Sequence, residues 1–469
     1  MSPDDHLLLW TSVAGLWALW KLSTGPGFRF SPALLFYTIF FAMQVVGFLA
    51  LVREDDPQDC LARTGIMLGV LGFVAGVGAV SVWSRFHPAA ELEGVRSRFQ
   101  FDEPYLPHKV ATMLIGYLMA SALLVYFYRV SGGIPLLDGI RTLAQGDKIL
   151  TAQLLLSERR MEQTYFEAST YRGVGYFDQL RMSILPYFVA SFLVWGTVTR
   201  RRKWRLAAYA AAIPALLFLL GTGQRHPTAA FMLSMAIIGY LVTSRKQQKK
   251  MLWCFGLLGL TVFAVMSLLL GRYTHTGNLQ SDLPMVFLGI ANRIFFSNSL
   301  GTISLFHIFP NPEPFRWGWT WLSDLQGFLP GPHVGFSAWL YRRLYGQVGT
   351  AAPMCFGEMY ANFGLVGVFL GACVLGLILQ GMHVAWCRRQ VFQVEHLVLY
   401  AMLSMTFARW AMGGLLGPIQ YGLVALPLLY ATVKITHHLV VVLSCFERGI
   451  RRSSDEQGTA RAGTYALGS

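Results

Sequence analysis

Hydrophobic and polar positions along this chain do not alternate; they fall into blocks. Long apolar runs are separated by short clusters of charge and by two long, more polar stretches. A membrane-spanning helix needs about 20 mainly apolar residues. Runs approaching that length occupy 7–22, 32–52, 64–83, 109–130, 182–199, 206–221, 227–243, 251–270, 363–386, 397–416 and 418–443. The pattern predicts an all-α integral membrane protein of about 11 transmembrane helices, with residues 1–452 as one membrane domain. From Ser453 the chain turns Ser-, Gly- and Ala-rich with mixed charge, so 453–469 is expected to be a disordered cytoplasmic tail.

The basic clusters orient the helices. Arg200-Arg201-Arg202-Lys203-Trp204-Arg205 is the strongest, joined by Arg245-Lys246 with Lys249-Lys250, Arg388-Arg389, and Arg448 with Arg451-Arg452. Cytoplasmic loops retain Lys and Arg. All four clusters fit inside if the N-terminus lies outside and the C-terminus inside. This threading puts the acidic hairpin Glu54–Asp59 and two long loops, about 131–181 and 271–362, on the extracytoplasmic side. A rival thread makes 285–309 a further span. It sets Arg293 at mid-bilayer, at a cost of about 2.5–3.5 kcal/mol, and sends Arg388-Arg389 outside. A re-entrant or interfacial helix is the expectation there.

Composition agrees with this frame. With 54% hydrophobic and 13% charged residues, most of the surface must face lipid. The net charge of +14 is what retained cytoplasmic clusters produce. No basic patch with interleaved aromatics accompanies it, so nucleic acid is not an expected partner. The six cysteines show no metal-binding spacing. Only Cys60 and Cys355 fall in outside loops, where one disulfide is conceivable. The acidic start, Met1–His6, lacks the basic n-region of a cleaved signal, so the first apolar run is expected to be retained. P-loop, G-x-S-x-G and H-E-x-x-H patterns are absent, which argues against ATP-driven transport, serine hydrolysis and zinc proteolysis. No cofactor and no metal are expected; the acidic hairpin with Asp55, Asp56 and Asp59 reads as solvated, with cation binding as its alternative.

The candidate chemistry is cationic and lies outside. The turn Gly221-Thr222-Gly223-Gln224-Arg225-His226-Pro227 sets Arg225 at a helix start with Pro227 in its first turn. Helix N–H donors and a guanidinium make an anion site, or the arginine anchors the helix end in headgroups. Arg293, Arg316, Arg342 and Arg343 add donors in the 271–362 loop, and arginine's planar fork suits phosphate. Arg409 stands inside an apolar helix, either functional or snorkelling outward. Arg172 and Arg181 close the first loop, which is either a lid and sugar platform or a lipid-surface helix. Glu358 and His333 are the candidate bases, each with a bland alternative: an ion pair for Glu358, a satisfied loop histidine for His333. Trp317, Trp319, Trp321 and Trp339 suit either sugar stacking or an interface belt.

Four segments resemble one family: Gly132-Gly133-Ile134-Pro135, the Arg225 turn, Leu329-Pro330-Gly331, and Gly357-Glu358-Met359-Tyr360-Ala361-Asn362-Phe363-Gly364-Leu365-Val366-Gly367. With two large outer loops among about a dozen helices, the chain resembles the Wzy-type polymerases of O-antigens and exopolysaccharides. An Arg-x10-Gly spacing described for such loops is matched by Arg316 and Gly327. The resemblance implies a GT-C-like architecture in the bacterial inner membrane, with the active site facing the periplasm. It implies transfer of an undecaprenyl-diphosphate-linked glycan onto the next lipid-linked repeat, independent of metal. Arginines would bind the leaving diphosphate, and Tyr360 and Asn362 fall within the most specific motif. A flippase and a chain-length regulator of the same pathway are the implied partners. Two alternatives stay open: an O-antigen ligase type, in which His333 matters more, and a flippase, which should show repeat symmetry or broken helices.

Overall fold

A computed structural model describes residues 3–25, 29–92, 106–145, 155–156, 174–198, 202–222, 225–242, 250, 253–262, 279–326, 334–347, 349–389 and 392–444. Among the described residues, seven helices are long and apolar enough to cross a membrane: Pro32–Leu51, Pro57–Trp83, His108–Val130, Tyr176–Thr197, Arg202–Gly221, Cys355–Cys387 and Ala425–Ser444. Pro227–Val242 and Trp253–Val262 are shorter apolar helices. The remaining expected runs are also helical, over Pro3–Ser23 and Val394–Ala408. Large apolar side chains such as Ile115, Leu118, Ile213, Trp253 and Leu370 face outward, as lipid contact requires. The chain is thus an all-α, multi-pass membrane protein over its described residues. Its expected tail, 453–469, lies outside them, as do 146–154 and 157–173 of the first outer loop.

The centre of the bundle is a pair of helices, Pro57–Trp83 and Cys355–Cys387, whose backbones nearly touch. A Cβ on Gly72 would come within 2.3 Å of the Phe369 carbonyl, one on Gly76 within 2.1 Å of that of Cys373, and one on Gly376 within 2.4 Å of that of Phe73. Glycine is the residue that permits this approach, and small residues four apart are how membrane helices achieve it without a hydrophobic drive. The contacts advance together along both chains, from Gly65–Leu365 to Gly76–Cys373 and on to Arg388 bonding the Ser84 carbonyl. The two helices therefore run parallel.

The segment expected to be re-entrant or interfacial is one continuous helical stretch in three pieces: Leu279–Ala291, a π-turn at Asn292–Phe296, and Ser297–Ile308. Two other apolar helices carry such a π-turn, at Phe41–Val45 and Leu180–Ile184. A π-turn opens the backbone ladder and frees carbonyls. At the first, Ser299 Oγ donates towards the Met43 (2.9 Å) and Gln44 (3.2 Å) carbonyls, and the space for it exists because residue 47 is glycine.

At the far end, Arg388 grips Glu91 with two bonds of 2.9 Å. This ties the end of the Cys355–Cys387 helix to the short Pro88–Glu91 helix. The guanidinium's hydrogen bonds hold the Glu91 carboxyl below its ordinary value. A carboxyl depressed in the folded state stabilises above its unfolded pKa, and that contribution is lost as pH falls through the depressed value. Glu91→Gln is expected to cost less than about 1 kcal/mol near pH 7, since solvent screens the pair. As pH falls through the depressed value the difference from the parent protein should vanish. Thermal unfolding of both proteins across that range checks it, and a gap that widens on acidification would contradict the assignment.

Candidate active site

The Cys355–Cys387 helix is not straight. Gly364 has φ 65° and ψ −159°, outside any helical region, and it breaks the helix. Phe356 packs on Gly69, while Leu365 packs on Gly65, nearer the start of the partner helix. A Cβ on Gly367 would sit 2.9 Å from the Met359 carbonyl, whereas eight residues of straight helix span about 12 Å. Residues 355–363 therefore fold back on the long helix as one arm of a helical hairpin. The break releases the Ala361 and Asn362 carbonyls, and the backbone N–H groups of Arg316 (2.9 Å) and Trp317 (3.2 Å) satisfy them.

Glu358 lies on this short arm, fully buried. Thr320 Oγ1 donates to its Oε1 at 2.8 Å, and the Leu415 N–H donates to its Oε2. Gly414 makes the approach possible, since a Cβ there would be 2.6 Å from Oε2. Asn362 Nδ2 donates to Thr320 Oγ1 (2.6 Å) and to the Glu358 carbonyl (2.9 Å), and its Oδ1 accepts the Gly318 N–H (2.8 Å). Trp410 Nε1 donates to the Leu415 carbonyl at 2.8 Å, and Gln44 Nε2 to that of Ala411 at 3.0 Å. One unbroken run of hydrogen bonds thus joins the 316–320 loop, the folded-back arm and the 409–415 turn.

Arg409 opens that turn. It is 7% exposed, and its guanidinium lies over Tyr421, 3.8 Å from the ring centroid. Its Nε and Nη1 make no hydrogen bond within the protein. A buried arginine without a carboxylate is costly unless something pairs with it. The Tyr421 carbonyl is held by Ser183 Oγ (2.8 Å) and Thr406 Oγ1 (3.1 Å). Ala230, in the second turn of the Arg225–Val242 helix, packs against Met405 and Ala408. This brings the start of the Arg225 helix beside Arg409. Thr228, three residues after Arg225, is fully buried and its hydroxyl has no partner.

The other expected residues divide. Arg316 pairs with Glu313 at 2.9 Å and stacks on Trp339 at 5.1 Å, 36% exposed. Arg342 lies exposed on the Phe336–Tyr345 helix. Neither reaches Arg409. Tyr360 is buried, stacked on Phe306 at 4.0 Å, and its hydroxyl donates to the Phe309 carbonyl at 3.1 Å. It and Asn362 serve inside the hairpin. Trp317 and Trp319 are the exposed tryptophans of the loop, while Trp339 is covered by Arg316. His333 and Arg172 lie outside the described residues, as do the side chains of Arg225 and Arg293; the latter stands on the third π-turn. Cys60 and Cys355 are both free, so the conceivable disulfide is not formed.

Sequence reasoning passed over Thr320, Tyr421 and Ser183, and it set Arg181 at the close of the first loop. Arg181 had the same signal as Arg409, a cation within an apolar helix, but the helix begins at Tyr176 rather than at 182. Among the described residues, one group suits a cation: Asp56, Asp59 and His307, with ligating atoms within 4.8 Å of one another. Most of that capacity is already taken. His307 Nε2 lies 2.6 Å from Asp59 Oδ1, and the other oxygens of Asp59 and Asp56 accept the Arg53 and Gln58 N–H groups.

Fold and site together define a multi-pass membrane protein with an apolar exterior and a buried guanidinium at one end, held by hydrogen-bonded turns. A family model described as "Putative O-antigen polymerase" matches residues 30–416 of the 469. The chain belongs to that O-antigen polymerase family. No curated protein and no solved structure matches it.

Proposed function

We propose that this protein joins oligosaccharide repeat units carried on undecaprenyl diphosphate, at the periplasmic face of a bacterial inner membrane. A hydroxyl of the incoming lipid-linked repeat attacks the reducing-end carbon of the growing glycan. The new C–O bond forms as the bond from that carbon to the diphosphate breaks. The hydroxyl proton passes to a base, and undecaprenyl diphosphate leaves as an anion. Arg409, with Arg225 and Arg293 as its partners, takes up the charge developing on the diphosphate, a role that needs no metal. Arg316, Arg342 and Arg172 belong to the loops that would cover the glycan. A flippase would deliver the repeat and a chain-length regulator would end synthesis.

The observation that carries this reading is Arg409: buried, stacked, and with two donors unpaired. Glu358 enters as a positioning residue. A carboxylate with both oxygens bonded inside the protein and no exposed surface is not set to take a proton from a substrate hydroxyl. His333 remains the candidate base.

Reconstitution tests the function. Purified full-length protein in nanodiscs, given one defined undecaprenyl-diphosphate-linked repeat, should yield a product ladder spaced by single repeats. Undecaprenyl diphosphate should be released in step, with or without a chelator. Product that forms only when lipid A core is added would instead identify a ligase.

A further inference from the structure

The Leu180–Ile184 π-turn makes two contacts that nothing so far explains. Arg181 is 2% exposed; its guanidinium donates to Thr222 Oγ1 and pairs with Asp178 at 2.6 Å. Thr222 directly follows the Arg202–Gly221 helix, three residues before the start of the Arg225–Val242 helix. Two residues on, Ser183 Oγ donates to the Tyr421 carbonyl at 2.8 Å, and Tyr421 is the ring on which Arg409 lies. Gly422, at φ 100°, keeps that contact open, because a Cβ there would fall 2.5 Å from Ser183 Oγ.

Residues two apart on a helix do not share a face. The π-turn therefore sits between the Thr222 turn on one side and the Tyr421 loop on the other. It touches both through side chains from a single short segment. Moving the segment changes the distance between the start of the Arg225–Val242 helix and Arg409. The charge of Arg181 is matched by Asp178, and Tyr128 shares the same guanidinium; the Thr222 contact is the one that reaches towards the Arg225–Val242 helix. Arginine's fixed planar fork, unlike a flexible ammonium, holds two acceptors at set angles.

We propose that the Leu180–Ile184 π-turn is a positioning element that sets the spacing of the anion site, through Arg181 on Thr222 and Ser183 on Tyr421. This rests on the reading of Arg409 as a diphosphate ligand. Arg181 and Ser183 touch no substrate; they act through the turns that carry the cationic residues.

The test is a double-substitution cycle in the nanodisc polymerisation assay, using the lipid-linked repeat. Arg181→Lys and Ser183→Ala are the single variants, each also placed in an Arg409→Lys background. Displacement of a catalytic group by about 1 Å costs as much as a hundredfold. Each single variant is expected to lose roughly tenfold in kcat with KM nearly unchanged and the unfolding temperature retained. In the Arg409→Lys background each should cost little more, because the spacing no longer matters once the guanidinium is gone. Ser183→Ala removes one hydroxyl and guards against the case in which Arg181→Lys fails to fold. Wild-type kcat in Ser183→Ala, or losses that multiply fully in the Arg409→Lys background, would overturn the inference. Full activity of Arg409→Lys and Arg409→Ala would overturn the anion site itself, a separate outcome.

Discussion

Arg409→Ala is expected to abolish polymerisation while leaving the protein at least as stable as before. Removing one preorganised donor from a developing anion costs about 10²–10³ in rate. The stability side has the opposite sign. Losing the stack on Tyr421 costs at most about 2 kcal/mol for a desolvated cation–π contact. Burying a guanidinium without a partner carries several kcal/mol of desolvation, which the substitution relieves. The desolvation term is the larger, so the unfolding temperature should hold or rise. A structural arginine behaves otherwise: its loss lowers stability and drags activity down in proportion. Thermal unfolding measured beside the product ladder separates the two. Full-length product from Arg409→Ala would sink the assignment, and so would a collapse in stability that accounts for the lost activity.

Glu358 gives the second large effect, and here Ala and Gln should part company. Glu358→Ala strands the Thr320 hydroxyl and the Leu415 N–H in the interior, at about 1–3 kcal/mol for each unpaired donor. It also unties the 409–415 turn from the folded-back arm, so stability and activity should fall together. Glu358→Gln keeps an acceptor for the Leu415 N–H, and the Thr320 hydroxyl can accept from the new amide. That variant should retain most of its kcat. General bases behave differently, since removing one loses about 10²–10⁴ in rate with the fold intact. A well-folded Glu358→Gln without activity would therefore return Glu358 to the role of base and refute the positioning role.

Both expectations depend on contacts that no local reading of the chain supplies. The Gly357–Gly367 motif was conspicuous, but it read as a loop entering a straight helix. The hairpin at Gly364 exists because the freed carbonyls of Ala361 and Asn362 find N–H donors at residues 316 and 317. Arg409 was legible as an anomaly, a cation in an apolar run. That it lies over Tyr421 with donors unpaired depended on packing. Tyr360 and Asn362 looked like substrate contacts by their place in the motif, and the fold turns both inward. The π-turns among the described residues have no sequence signature that marked them; at Phe41–Val45 the Ser299 hydroxyl, from another helix, donates into the opened ladder.

The sequence by itself determined that this is a helical membrane protein, where its long apolar helices fall, and which residues were chemically out of place. These follow from run length and charge, which the bilayer reads segment by segment. The tertiary structure alone decided which anomalies meet. It brought Glu358 to Leu415, Gln44 to Ala411 and Ser183 to Tyr421, pairs 57, 367 and 238 residues apart. Such contacts arise from glycine-thin backbones packing at close range and from buried polar groups that must find partners wherever the fold carries them.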